Sequence, residues 1–236
     1  MTDFFITQSI FHPFAFVAVY LIFVTKIGPN LMKNREPMKL NNVMIAYNLL
    51  QIFINVVLII LGLPNLKTVI LLCSITSQDS FSVVTTHHAY ALLKVFDFLE
   101  TIIFVLRKKD NQVSLLHVFH HVGVFSLTWI GLKYSPGGPN YLSAVINCVV
   151  HTLMYFYYLL STSIDKKQLW WKKYMTVLQV VANWFIFLIN VVSLLNPSCS
   201  YPKWILLSDT TYMLVLLYLF SNFYNKNYLE GNAKLS

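Results

Sequence analysis

The sequence has few charged residues for its length. Of 236 residues only 11% are Asp, Glu, Lys or Arg, whereas a soluble domain carries about 25%. The polar surface of a soluble globule cannot be built from so few, and this excludes a soluble protein. Seven glycines and eight prolines exclude collagen-like and low-complexity chains, and 57% hydrophobic residues exclude disorder. The class that remains is a protein that crosses a membrane several times.

Long apolar stretches are what the sequence has in abundance. A membrane-spanning helix needs about 20 mostly apolar residues. Seven stretches meet this requirement, at about 11–27, 43–63, 84–106, 114–132, 141–161, 174–195 and 204–224. A further apolar piece, Val69 to Ile75, is too short to span and is interpreted as a re-entrant or interfacial segment. With short connections and no internal repeat, the chain is predicted to form one all-α polytopic membrane domain, 1–236, with seven transmembrane helices.

The basic residues are distributed unevenly between the connections. Thirteen of the seventeen lie in the odd-numbered connections and the C-terminal tail, three lie in the even-numbered connections, and Lys94 lies within a span. Because Lys and Arg are enriched on the cytosolic side, the C-terminus is predicted to be cytosolic and the N-terminus lumenal. The net charge of +8 is then a signal of topology. We therefore predict a lipid bilayer as the environment and no nucleic-acid partner.

Ionisable and polar side chains are concentrated in four of the spans. Such residues are costly inside a membrane and indicate function by default. Spacings of three and four place the members of each set on one helical face. The sets are Lys94, Asp97, Glu100 and Thr101 in span three; His117, His120 and His121 in span four; Asn147, His151, Tyr155 and Tyr158 in span five; and Thr176 and Gln179 in span six.

These sets share a depth in the membrane. At a rise of about 1.5 Å per residue, His120, His151 and Asp97 each lie roughly 15 Å from the cytosolic end of their span. One intramembrane site is therefore predicted. Alternatives remain open, since the charged residues of span three can act as a structural ion pair and the tyrosines as an interfacial belt. Asp209 is interpreted as structural, and His12, His87 and His88 as interfacial residues near span ends.

The histidines suggest two kinds of chemistry. Membrane di-iron desaturases and hydroxylases also carry H-x-x-H-H boxes, but they need about eight histidines in several boxes, and the chain has seven histidines in all. No metal ligand is therefore predicted, and the di-iron enzyme is kept as the alternative. Imidazole can also act as a base or nucleophile, with a nearby carboxylate holding its orientation. The candidate catalytic residues are His117, His120, His121, His151, Asp97 and Glu100.

The sequence contains no glycine-rich loop of the kind that binds phosphate groups. The basic residues nearest the predicted cytosolic end of the site are Arg107, Lys108, Lys172 and Lys173. They are candidate substrate-binding residues, and a role as plain topology signals remains the alternative.

Four motifs, in order along most of the chain, resemble the ELO family of fatty acid elongases. They are Lys94 to Thr101 continuing to Leu106-Arg-Lys-Lys109, Gln112 to His121, Asn147 to Tyr158, and Trp170 to Gln179. The chain departs from the family pattern where the two acids are exchanged, with Asp97 first and Glu100 second, and where Ala182 replaces a second Gln. The resemblance leaves open which acid contacts the histidine box.

The resemblance implies a condensing enzyme, a 3-oxoacyl-CoA synthase, that joins a long-chain acyl-CoA to malonyl-CoA with loss of CO2. His120 or His121 would take the acyl group or act as base, and Asn147, His151 and Gln179 would donate hydrogen bonds. Lys94, Tyr155 and Tyr158 are further substrate-binding candidates. Helices 2–7 would form a bundle around an acyl tunnel that is closed at its lumenal end.

The resemblance also implies a cellular setting. No cofactor is expected beside the two CoA substrates. The endoplasmic reticulum membrane is the expected location, with the other enzymes of the elongation cycle as partners and self-association of the chain as a further expectation.

The three cysteines are too few for a disulfide framework. The predicted topology places Cys73 and Cys199 in lumenal connections, where an oxidising compartment permits a bridge between them. The bridged and the reduced state both remain open, because the sequence does not give the distance between the two residues.

Overall fold

The chain folds entirely into helices in the part that the structure describes. This structure is a computed structural model, and it describes residues 9, 11–72, 81–165 and 168–229, without the side chains of 67–72. Seven long helices lie within those ranges. They are α1 Phe11–Met32, α2 Asn41–Leu72, α3 Phe81–Leu106, α4 Leu115–Tyr134, α5 Gly138–Ser163, α6 Lys172–Leu195 and α7 Lys203–Leu229.

Six of these helices are long and apolar enough to cross a membrane. The exception is α3, whose 26 residues include three charged side chains: Lys94, Asp97 and Glu100. A helix satisfies its own backbone hydrogen bonds, which is what the interior of a bilayer requires. The all-α multi-pass membrane fold is confirmed at this level, and a seventh crossing by α3 stays a prediction.

Two helices extend beyond the predicted spans. Helix α1 continues through a π-helical turn, Phe23–Ile27, to Met32. Helix α2 continues past Pro64 to Leu72, so residues 69–72 do not form a separate re-entrant piece, and their interpretation as an interfacial segment stays a prediction. A proline removes one backbone hydrogen bond without ending a membrane helix, and that is why Pro64 is a poor boundary signal here. Residues 73–75 of that piece lie outside the described residues.

Contacts between the helices trace a ring. Helices α2 to α7 each make their largest contacts with two neighbours, in the order α2, α5, α6, α7, α4, α3 and back to α2, and α5 also touches α3 and α4. Helix α1 lies outside this ring against α3 and α4. The ring of Tyr20 stacks on Phe98 of α3 with their centroids 4.3 Å apart. Helix α1 therefore supports one side of the helix that carries the charged residues.

Local signals position the histidine-bearing helix. Ser114 caps the N-terminus of α4, where its hydroxyl accepts a hydrogen bond from the His117 backbone N–H at 3.2 Å. At the other end, Gly137 and Gly138 adopt φ angles of 103° and 58°, values that favour glycine. This turn sends α5 back alongside α4, and the histidine box thereby faces the polar stripe of α5.

The outer surface of the ring is apolar. Large hydrophobic side chains are exposed along several helices, among them Phe53, Phe185 and Leu188. An apolar outer surface of this extent indicates contact with lipid. The connections that follow α1 and α3 meet at one end, where the Met38 N–H donates to the Leu106 carbonyl at 3.1 Å.

Candidate active site

A buried ion pair lies at the centre of the site. Lys94 Nζ is 2.7 Å from Asp97 Oδ2 on α3, and it also donates to Asn147 Oδ1 of α5 at 2.9 Å. Tyr90 donates to the same Asn147 oxygen at 2.9 Å. Lys94 and Asp97 are 3% and 1% exposed, and a charged pair this deep is stable only with further hydrogen bonds. The two donors fix the orientation of the Asn147 amide.

Helix α2 contributes a polar residue that the sequence analysis missed. Gln51 Nε2 donates to the second carboxylate oxygen of Asp97 at 2.7 Å and lies 2.7 Å from the Tyr47 hydroxyl. Asn55 in turn donates to Gln51 Oε1 at 3.2 Å. Tyr47, Gln51 and Asn55 are spaced by four, which is the same signal that identified the other polar stripes. Asp97 is thus held by α2 as well as by Lys94.

The second acid pairs with the histidine box. Glu100 Oε2 lies 3.5 Å from His121 Nε2, and it accepts a hydrogen bond from the Tyr155 hydroxyl at 3.4 Å. All three side chains are buried. Glu100 therefore contacts the histidine box, whereas Asp97 forms an ion pair with Lys94. A carboxylate beside an imidazole can fix its orientation and stabilise its charged form.

His117 is held by a chain of hydroxyl groups. Its Nε2 lies 2.8 Å from Thr101 Oγ1, which is 2.9 Å from the Tyr20 hydroxyl of α1. The rings of His117 and His121 lie 4.2 Å apart between centroids. Two of the three histidines of the box thus have polar partners on α3.

His120 and His151 face each other without such partners. Their rings are stacked, with centroids 6.1 Å apart and planes 30° apart. His120 Nδ1 is buried and has no hydrogen-bond partner among the described residues. His151 Nδ1 is also without a hydrogen bond there, and it lies 3.9 Å from Asp97 Oδ2 of α3. An imidazole nitrogen that is not hydrogen-bonded is available for chemistry.

A cavity adjoins His120, and His151 is not among the residues that line it. Tyr90, His120 and Asn147 line the end where the histidine box lies, and Asn140 and Asp209 line the other. Between the two ends, the wall is mainly apolar and comes from α4, α5, α6 and α7. The site can therefore hold a largely apolar substrate with its reacting end against His120.

The other predicted site residues contact different groups. Gln179 donates to Met154 Sδ at 3.5 Å, and Tyr158 touches the site through the ring of Tyr155, 6.0 Å away. Arg107 donates to the sulfur of Met44 and Lys108 to the Lys33 carbonyl. Lys172 is exposed at the start of α6, and Lys173 lies over the ring of Tyr174. The structure thus brings together the two acids, the histidines, Lys94, Asn147 and Tyr155. The four other basic candidates, Arg107, Lys108, Lys172 and Lys173, lie at the end of the bundle.

Three side chains lie in environments that the sequence did not predict. Tyr155 is fully buried against Glu100, which does not fit the alternative of an interfacial belt for this residue. His87 is 1% exposed and faces the ring of Tyr141, and its position near a membrane interface stays a prediction. Asp209 has a polar neighbour, since Asn140 donates to its Oδ2 at 3.4 Å, and its structural role also stays a prediction. The proposed partner of Cys199, Cys73, lies outside the described residues, and their bridge stays a prediction.

One group of side chains has the composition of a metal site. The donor atoms of Glu100, His117 and His121 all lie within 4.8 Å of one another. A di-iron centre needs several more histidine and carboxylate ligands around the same point. His117 Nε2 already has a protein partner in Thr101, whereas the contact of His121 with Glu100 is one that a metal site would also show.

Comparison with known proteins gives a consistent result. The profile of the ELO family, described as the GNS1/SUR4 family, matches residues 5–236. A protein of Mus musculus named very long chain fatty acid elongase 4 is 34% identical over 238 residues, which cover 98% of this chain and 76% of that protein. A protein of Drosophila melanogaster named very long chain fatty acid elongase F is 37% identical over 231 residues, covering 91% of this chain and 88% of that protein. With four ordered motifs, a ring of helices around the histidine box and a family match over nearly all of its length, the chain belongs to the ELO (GNS1/SUR4) family.

Proposed function

We propose that the chain is the condensing enzyme of very-long-chain fatty acid elongation. It joins a long-chain acyl-CoA to malonyl-CoA and releases a 3-oxoacyl-CoA, CoA and CO2. The observation that carries this proposal is the unpaired nitrogen of His120 at one end of a cavity whose middle part is lined mainly by apolar residues. Relatives named very long chain fatty acid elongases support the same reaction.

His120 is the residue best placed to take the acyl group. Its ring nitrogen attacks the thioester carbon, and CoA leaves as a thiol with the proton that the imidazole gives up. Decarboxylation of malonyl-CoA then provides the enolate carbon, which attacks the acyl carbon and expels the imidazole. The imidazole finally takes up one proton from solvent. His117 and His121 have partners on α3, and we assign them to positioning and charge stabilisation.

Asn147 and His151 are proposed to stabilise the charge that develops on oxygen. Lys94 and Tyr90 both donate to Asn147 Oδ1, so the amide nitrogen is the group left to donate to a substrate oxygen. Asn147 lines the same end of the cavity as His120. Fixed donors beside the reacting carbon stabilise an oxyanion without reorganising in the reaction.

The bundle and its surroundings complete the proposal. Helices α2 to α7 enclose the acyl tunnel, all seven helices cross the membrane, and the N-terminus is lumenal. The basic residues Arg107, Lys108, Lys172 and Lys173 bind CoA phosphates at the cytosolic end, with Tyr158 and Gln179 between them and the histidines. The enzyme works without a cofactor, in the endoplasmic reticulum membrane, beside the other enzymes of the elongation cycle and in contact with further copies of itself.

The assignment of His120 is tested by its replacement. Microsomes that contain the His120→Ala chain should incorporate labelled malonyl-CoA into lengthened acyl chains at least about 100-fold more slowly than the unaltered chain. Leu115→Ala serves as control, because Leu115 is 73% exposed on the same helix. With acyl-CoA alone, the unaltered chain should release one CoA per active site, and His120→Ala should release none.

Two results would contradict the proposal. Full chain extension by a membrane-inserted His120→Ala protein would remove His120 from the chemistry. A di-iron content in the purified active protein, with loss of activity on chelation, would favour the metal-dependent alternative.

A further inference from the structure

The end of the cavity far from His120 is polar. Asn140 of α5, Asn190 of α6 and Asp209 of α7 all line it, and each is buried. Asn140 Nδ2 donates weakly in two directions, to Asp209 Oδ2 and to the Leu127 carbonyl, at 3.4 Å each. An alkyl chain that enters from the histidine box would therefore meet hydrogen-bonding groups at the end of its path.

Two atoms in this cluster lack a partner. Asp209 Oδ1 and Asn190 Oδ1 are buried and have no hydrogen-bond partner among the described residues. The side chains are 5% and 1% exposed. Buried polar atoms are nearly always hydrogen-bonded, and leaving them unsatisfied is costly. Their position on the wall of a cavity indicates that a ligand supplies the missing hydrogen bonds.

The distance to the reacting end fits a segment of acyl chain. His120 and Thr128 line the cavity on α4 and are eight residues apart, which corresponds to about 12 Å along the helix. Asn147 and Asn140 on α5 are seven residues apart, about 10 Å. The wall between the two ends includes Val124, Ala144 and Leu216. The cavity thus has a reacting end, an apolar middle and a polar far end.

A hydroxyl group is the chemistry that matches the far end. It has one donor hydrogen and can also accept, so it can donate to the Asn190 oxygen while it accepts from a protonated Asp209, or donate to one of the two residues when Asp209 is ionised. Its transfer into the membrane interior costs far less than the transfer of an ammonium or carboxylate group. A methyl terminus, in contrast, would leave both acceptors unpaired.

We propose that this chain selects acyl-CoA substrates that carry a hydroxyl about 10 Å along the acyl chain from the reacting carbon, and that Asp209 and Asn190 bind that hydroxyl. This proposal rests on the proposed condensing activity and adds a substrate class to it. Asp209 and Asn190 are specificity residues about 10 Å from the reacting carbon, and condensation itself does not require them.

A competition experiment tests the proposal. Microsomes that contain the chain receive labelled malonyl-CoA and an equimolar mixture of a plain acyl-CoA and its ω-hydroxy counterpart, for a series of chain lengths. At the length whose hydroxyl reaches the cluster, the hydroxylated product should form about tenfold faster, a ratio typical of one or two hydrogen bonds. The ratio within one mixture does not depend on how much protein folds.

Variants then connect the preference to the cluster. Asp209→Leu should abolish the preference and raise the relative use of the plain chain, and Asn190→Leu on α6 should reduce the preference. Ser208→Ala is the matched control, because Ser208 is exposed beside Asp209 and its hydroxyl bonds only within its own helix, to the Trp204 carbonyl. If Asp209→Leu fails to fold, the wild-type ratio and Asn190→Leu decide the question.

Each other outcome has a defined meaning. Equal use of plain and hydroxylated chains at every length overturns the proposal and indicates that the cluster holds only water. A preference that survives in both leucine variants overturns it as well. If the unaltered chain lengthens neither class of acyl-CoA, the proposed condensing activity fails and this inference fails with it.

Discussion

At the scale of residues, the site depends on partners from neighbouring helices. The Lys94–Asp97 pair is buried, and such a pair is stable only where other groups satisfy its remaining hydrogen bonds. Gln51 from α2 and Asn147 from α5 supply them. Glu100 has a different role, since it lies against His121. One acid thus anchors the network, and the other orients the histidine box.

The role of Glu100 leads to a prediction. Glu100→Gln keeps the size of the side chain and the contact with Tyr155 but removes the negative charge beside His121. We expect kcat to fall about 100-fold, because the imidazole loses its orienting carboxylate, while KM for the acyl-CoA changes little. Steady-state elongation kinetics measure both constants. Glu100→Asp should recover part of the rate, and an unchanged kcat in Glu100→Gln would rule out the positioning role.

The site residues could be predicted from the sequence where their spacing places them on one face of a helix. The stripe from Lys94 to Glu100 and the three histidines of α4 share their helical faces, and the structure places both sets together. Which acid meets which histidine depends on contacts between helices, and no spacing within one helix contains that information. Gln51 was not predicted, although it is spaced by four from Tyr47, because it lies in span two, outside the four spans whose polar faces predicted the site.

At the scale of helices, close packing between α4 and α7 positions His120. Gly123 lies against the ring of Tyr212, and a Cβ on it would be 2.7 Å from Tyr212 Cζ. The ring cannot easily give way, because it stacks on Phe119 and its hydroxyl donates to the His120 carbonyl at 3.2 Å. The absence of a side chain at residue 123 allows α7 to approach the histidine box.

Gly123→Ala is therefore expected to destabilise the protein. Overpacking of this kind costs about 2 kcal/mol, and the displaced Tyr212 ring should also lower elongation activity, since it lines the cavity. Thermal unfolding in detergent and the elongation rate measure the two effects. In a Tyr212→Leu background the same substitution should cost little. An equal loss of stability in both backgrounds would show that the close approach is not the cause.

Helix boundaries were less predictable than helix positions. The seven apolar stretches all correspond to helices, because apolar composition over about 20 residues is a strong signal. The end of α2 was misjudged, since span two was predicted to end near residue 63 and the helix continues to Leu72. The partnership of Asp209 with Asn140 joins residues 69 positions apart, and only the packed bundle reveals it.

At the scale of the whole molecule, the uneven distribution of basic residues can be related to how substrates reach the intramembrane site. Thirteen basic residues lie in the odd-numbered connections and the C-terminal tail. In the structure, two of those connections meet where the Met38 N–H contacts the Leu106 carbonyl. Substrates with CoA phosphates would arrive at this end, and their acyl chains would extend toward the opposite one.

Cysteine labelling tests the orientation that this arrangement requires. Gln112→Cys and Tyr134→Cys flank α4 at its two ends, and both positions are exposed. In sealed microsomes a membrane-impermeant maleimide should label residue 112 directly and residue 134 only after permeabilisation. Labelling in the reverse order would contradict the predicted topology. Labelling of both without permeabilisation would contradict a crossing by α4.

The central claim is that this chain alone joins two acyl groups with loss of CO2. The most direct measurement uses the purified chain in lipid vesicles with an acyl-CoA and malonyl-CoA labelled at both the free carboxyl carbon and C2. We expect a 3-oxoacyl-CoA two carbons longer that retains the C2 label, with CO2 and CoA released in equal amounts. Labelled CO2 without a lengthened chain, or no product from a folded protein over a full range of acyl-CoAs, would contradict it.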